Sequence, residues 1–183
     1  GLGAGLGIGA AGIGAGVSVA VVSKDTRAWI GNAVVDAAGN SADVTVYDGT
    51  LSDAGAFGRT SAAYAARGVF VVAETLESVV AIAAAGAGGF GAGIAGAVTV
   101  EVIDSDTRAY IAGGARINTG NSGTAHANQD VHVQAVNAVD ILAVAGAVGG
   151  GLAGLAGGVD VGVVRNDTSA WIAGADVRAR RDV

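Results

Sequence analysis

The chain of 183 residues has no cysteine and no proline, only eight aromatic side chains and few charges, 14% of residues being Asp, Glu, Lys or Arg. Without cysteine there is no disulfide framework and no thiolate metal site; the lack also suits a protein exported unfolded. Without proline every interior strand residue can donate its N–H to a neighbour, as extended sheets require. Few aromatics exclude a bulky core. Only ten Lys and Arg stand against sixteen Asp and Glu, for a net charge of −6. A nucleic-acid partner would need a basic face, and none is visible. The one basic cluster, Arg178, Arg180 and Arg181, is interrupted by Asp182 and follows Asp176, so it reads as a solvated strand edge. No charged-then-apolar leader opens the sequence. The chain starts in a glycine tract and stops in an alternating run, which suggests a segment of something longer.

What is abundant is glycine, at 33 positions, with alanine and valine around it. Apolar residues make up 51% of the chain, enough to bury surface and to argue against disorder. The side chains are small, so backbones can come close together.

The sequence repeats itself. Asp25-Thr26-Arg27-Ala28-Trp29-Ile30 returns as Asp106-Thr107-Arg108-Ala109-Tyr110-Ile111 and again as Asp167-Thr168-Ser169-Ala170-Trp171-Ile172. Each copy follows an alternating run (VSVAVV from Val17, VTVEVI from Val98, VDVGVV from Val159), and each run follows an uncharged glycine-rich tract. The array divides into repeat 1 over about 1–77, repeat 2 over about 78–137 and a truncated repeat 3 over about 138–183. The first two copies are offset by 81 residues and the next two by 61. The extra 20 fall in an insertion at about 53–68, which is either one more coil or a surface loop.

Period two is the signature of strands. In Val98–Val102 valine takes one face, and Thr99 and Glu101 the other; Val131–Ala135 alternates likewise. Turn residues separate the runs at Gly39-Asn40, Asp48-Gly49, Gly120-Asn121 and Asn166-Asp167. Repetition at long period favours coils stacked on their like over a sandwich. The expected fold is therefore all-β, a parallel β-solenoid (β-helix) of imperfect Gly/Ala/Val-rich repeats. The tracts at 79–100 and 141–159 are long enough to raise a transmembrane reading. Yet 86–96 holds six glycines, each costing about 1 kcal/mol against alanine in a helix. Strands with one nearly flat face, which another sheet can approach closely, fit better, and a membrane is not expected as a partner.

No motif carries chemistry. GxGxxG occurs at Gly7–Gly12, Gly91–Gly96 and Gly149–Gly154, but each leads into a strand pattern instead of the helix a dinucleotide site needs. Asp25/Thr26, Asp106/Thr107 and Asp167/Thr168 read as turns whose carboxylates cap local N–H groups. Asp104 beside Asp106 offers the one hint of calcium, but calcium takes six to eight oxygens and the other copies lack a second nearby acid. No other cofactor is expected. Trp29, Tyr110 and Trp171 share one repeat position and by parity face outward with Arg27, Arg108 and Ser169. Such a row would bind glycans or a partner protein, or else pack laterally. His126 and His132 complete no metal set, and Ser41, Ser61 and Ser122 have no His–Asp partners nearby in sequence, so catalysis is not expected.

The order Gly/Ala tract, VSVAVV-like strand and DTRAWIG-like hexapeptide resembles the repeats of very large bacterial surface exoproteins, the leukotoxin-like filamentous adhesins. The resemblance covers nearly the whole chain on motifs of low complexity, and the insertion after the first copy departs from a uniform array. It implies an extracellular, bacterial cell-surface β-helical filament used for adhesion or as a stalk. Its partners would be other copies or segments of the same filament, or host and cell-surface glycans and proteins, and it offers no catalytic residues to carry over. Two alternatives remain: a membrane-active toxin-type segment using the uncharged tracts, and a calcium- or glycan-binding surface module.

Overall fold

A computed structural model describes residues 2–121 and 123–183, with side chains from Ile8 onward; Ser122 lies outside the described residues. The chain is all-β, with no helix among those residues. Its strands are β1 (Leu2–Ile30), β2 (Val34–Val35), β3 (Val44–Asp53), β4 (Arg59–Ala112), β5 (Arg116–Ile117), β6 (Gln129–Gly150), β7 (Ala153–Ala173) and β8 (Asp176–Val177). In the larger sheet β4 pairs with β1, β3, β6 and β7; in the smaller, β2, β5 and β8 lie side by side.

The smaller sheet is parallel. Val34 faces Arg116, which faces Asp176; Val35 faces Ile117, which faces Val177. Equivalent segments of the three repeats are therefore neighbours. The larger sheet is mixed, because β3 runs antiparallel to the start of β4, from Val44 opposite Ala66 to Asp53 opposite Arg59. This pair is a hairpin closed by Ala54 N–H donating to the Gly58 carbonyl at 3.0 Å. The residues that lengthen the first repeat thus form a surface hairpin and not a coil of their own. Arg67 holds its base, donating to the Gly39 and Ser41 carbonyls at 2.8 and 2.7 Å and pairing with Asp43.

Compactness cuts across the repeats. Unit 1 gathers Gly1–Ser23, Ser78–Asp104 and Val139–Arg165, and unit 2 gathers Lys24–Glu77, Ser105–Ala138 and Asn166–Val183. Each unit takes one segment from every repeat, because like segments pack on like.

Unit 2 has a branched core of Val69, Val71, Ile111, Ile117 and Val131 with Ala73, Ala109 and Ala115. Several deep polar side chains there are paired. Thr107 Oγ1 donates to Thr75 Oγ1 at 2.9 Å, and Thr75 Oγ1 to Thr26 Oγ1 at 2.8 Å. Asn137 Nδ2 donates to the Ser105 carbonyl and hydroxyl, both at 3.1 Å.

Unit 1 has a cluster of buried alanines, Ala83, Ala85, Ala87, Ala95 and Ala97, with Ala145 and Ala147 against it, and Ile103 is buried as well. Its strands face one another at glycine. A Cβ on Gly14 would lie 2.8 Å from the Gly86 carbonyl carbon, and one on Gly16 2.8 Å from that of Ala84. As the first number rises the second falls, so these facing strands run in opposite directions. Gly158 faces Ala145 in the same way, with 2.7 Å to its carbonyl carbon. The chain folds back on itself where Gly93 nears Ala87, and again where Gly149 nears Leu155. The flat faces expected of the glycine tracts are present, and they meet inside the chain.

Burial alternates along the unit 1 parts of β1 and β4, with an unexpected face inside, while β7 is exposed along its whole length. Thr99, Glu101 and Ser18 are buried, while Val17, Val19, Val21 and Val102 are exposed.

Candidate functional site

The hexapeptides lie in strands, Asp25 and Thr26 in β1, Asp106 and Thr107 in β4, and Asp167 and Thr168 in β7. The turn expected at the Asp-Thr pairs is corrected: alternation sends threonine inward and aspartate outward, and neither has to bend the chain. Thr26 and Thr107 meet Thr75 as above. Asp25 instead accepts Arg27 Nε–H at 2.7 Å, and Asp106 accepts from Arg108 at 2.6 Å. Asp176 and Arg178 repeat this i, i+2 pairing at 3.4 Å. Exposed pairs of this kind contribute at most about 1 kcal/mol each.

Trp29, Tyr110 and Trp171 form a continuous stack. Ring centroids are 6.3 Å apart for Trp29 and Tyr110, tilted 17°, and 4.6 Å apart for Tyr110 and Trp171, tilted 9°. Residues 81 and 61 apart in sequence thus become neighbours at equivalent positions, and both tryptophans are exposed. A sugar docks on an open ring face. Here the inner faces are used on one another, each contact worth about 0.5–1.5 kcal/mol beyond area burial. The row ties three strands together.

Asp106 is paired with an arginine instead of a second carboxylate, and no group of three or more His, Cys, Asp or Glu able to hold a metal comes together among the described residues. His126 Nδ1 accepts the Asn128 N–H at 3.1 Å. His132 lies 3.0 Å from Gln134 and packs on Phe70. Ser61 donates to Glu74. In the basic cluster Arg178 pairs with Asp176, and Arg181 with buried Asp130 and with Asp182. The glycine motifs lie in strands or at the β6–β7 turn, with no helix N-terminus to receive a phosphate.

Sequence reading missed a carboxyl pair in unit 1, buried Glu101 beside exposed Asp160. Glu101 is fully buried and no fixed donor reaches its oxygens. Burial raises its pKa, and the neighbouring Asp160 adds to the rise. Asp160 is held below its ordinary value by the Thr99 hydroxyl, 2.5 Å away, and by the Glu101 proton. Glu101 thus contributes stability fully below its unfolded value of 4.5, and that contribution is lost as pH climbs through the raised folded value. Asp160 acts in the opposite sense: its contribution holds above 3.8 and is lost as pH falls through the lowered value. Glu101→Gln keeps the shape and a donor for Asp160. Its melting temperature should exceed that of the parent by a few degrees at about pH 8 and approach it at about pH 5. An equal difference at both pH values would show that ionisation of Glu101 is not the cause.

Among the described residues no helix is long and apolar enough to cross a membrane. No family model matches the chain, and comparison with curated proteins and with solved structures gave no match.

Proposed function

We propose that the chain is a β-solenoid segment of a large secreted or cell-surface bacterial filament protein, with a structural role and, through the parent filament, an adhesive one. In this reading each coil has an outgoing strand (β1, the second half of β4, β7) and a returning strand (the first half of β4, β6). The β3 hairpin is an insertion on the first coil. The observation that carries the reading is the aromatic stack, since coils rising by one strand spacing would bring Trp29, Tyr110 and Trp171 into contact. The parallel register of β2, β5 and β8 supports it independently.

Such a segment has a mechanical function. It needs no pocket and no cofactor; its work is to pass rungs on. Among the described residues β1 and β7 each pair only with β4, so each keeps one edge to which a further rung can add. The partner expected there is another copy or another segment of the same protein. Sedimentation velocity over a range of concentrations tests this. Linear species should lengthen with concentration, and Val161→Lys on the β7 edge should stop the growth. A single particle size at every concentration, or growth indifferent to V161K, would sink the stacking role.

A further inference from the structure

Unit 1 is largely turned out: apart from buried Ile103, small and polar residues lie inside it, and many branched apolar residues lie outside. Between 8–22, 79–100 and 141–159 there is no charged residue, and the only hydroxyls, on Ser18 and Thr99, are buried. The outward side chains of these tracts therefore offer no hydrogen-bonding group. The apolar character culminates where the chain turns. Phe90 sits among Gly88, Gly89 and Gly91 and is 93% exposed; Leu152 follows Gly149, Gly150 and Gly151 and is also 93% exposed. The two turns are adjacent, since a Cβ on Gly151 would lie 2.7 Å from the Gly89 carbonyl oxygen. Ile8, 82% exposed, lines a hollow with Phe90 beside it.

Turns in unit 2 carry more polar groups, although the β3 hairpin turn also holds exposed Phe57 between Gly55 and Gly58. Asp48 accepts the Thr50 N–H at 2.8 Å, Asn118 takes the left-handed conformation, and the β3 hairpin turn is flanked by the Asp53–Arg59 pair. Polar turn residues are the ordinary solution in water. The unit 1 turns use glycine for the geometry and give the apex to a large apolar side chain, which has no role in folding at that exposure.

We propose that this apex, Phe90 with Leu152 and Ile8, docks in the apolar layer of a lipid surface. A protein partner would cover one face and satisfy polar groups at its rim. Here the apex is apolar on every side and the outward valines behind it supply no polar rim, so a fluid hydrocarbon layer can surround the apex. Immersion is confined to the apex, because an unpaired strand edge in hydrocarbon costs several kcal/mol per backbone group. With a net charge of −6 there is no attraction to anionic headgroups, so neutral lipid is the appropriate probe.

The test is flotation of the full chain with phosphatidylcholine vesicles, the parent against a Phe90→Asp/Leu152→Asp double variant. Both sites are exposed, so circular dichroism and melting of the variant should match the parent. The parent should float, and the variant should float at least roughly tenfold less, since both large apolar side chains of the apex are then replaced by charges. A parent that stays in the soluble fraction, or a variant that floats equally, overturns the proposal. So does a parent that forms a discrete dimer, does not float, and becomes monomeric in the double variant; the apex would then be a contact between copies.

Discussion

Gly158→Val is expected to destabilise the protein by about 3 kcal/mol, while Gly157→Val, one residue away, changes stability by less than about 0.5 kcal/mol. The difference comes from which side of β7 each residue faces. A Cβ on Gly158 would lie 2.7 Å from the Ala145 carbonyl carbon and 3.2 Å from the Ala145 methyl. Real contacts below 3.0 Å essentially never occur, and the obstructing atoms are backbone, so one of the two facing strands would have to move. A Cβ on Gly157 meets nothing within 4 Å. There a valine has room, and its branched side chain suits an extended backbone. For a chain of this size about 3 kcal/mol corresponds to a fall of roughly 6–12 °C in melting temperature. Gly16→Val, opposite Ala84 in the same manner, should behave like the first substitution. Equal losses at 157 and 158 would mean that glycine is needed there for conformation and not for close approach.

That contrast also marks what the sequence could tell. The strands were legible, because alternation over runs such as Val98–Ile103 has one reading. So was the equivalence of the three hexapeptides, whose aromatics meet in space. The inner face was not legible. Polarity puts valine inside and Thr99 with Glu101 outside, whereas the inner face holds Thr99, Glu101 and Ile103 and leaves Val102 exposed. The glycine tracts hinted at a close approach without saying which strand they would meet. The Asp-Thr pairs misled for a related reason: aspartate beside threonine is common turn chemistry, and only the fold shows Arg27 and Arg108 taking the carboxylates while Thr75 takes the hydroxyls. The insertion could not be resolved by counting, since a hairpin and a coil cost the same number of residues.

Asn118 carries the second large effect, and the alternating run that contains it gave no sign of this. It is fully buried and is the one non-glycine residue with positive φ, 57°, among those described. Its N–H donates to the Val35 carbonyl at 2.7 Å, its Oδ1 accepts the Ala37 N–H at 2.8 Å, and its Nδ2 donates to the Arg178 carbonyl at 3.1 Å. One side chain therefore joins the corresponding segments of all three repeats at the corner after β5. Asparagine suits the position twice over, since it tolerates the left-handed conformation and has both a donor and an acceptor at its tip. Asn118→Ala leaves the Arg178 carbonyl without its donor and the Ala37 N–H without its shorter acceptor, at about 1–3 kcal/mol for each buried group, and adds about 1 kcal/mol for an alanine at positive φ. A total loss of about 3–5 kcal/mol is expected. Asn118→Gly loses the same hydrogen bonds but is free of the backbone cost, so it should be more stable than the alanine variant by about 1 kcal/mol. Urea unfolding of the two variants measures both quantities. Amide exchange at Ala37 should quicken in each, because the acceptor is gone in each. If alanine and glycine are equally tolerated with a loss below about 1 kcal/mol, the corner is held by β2, β5 and β8 pairing alone, and the asparagine bridge is incidental to the joining of the repeats.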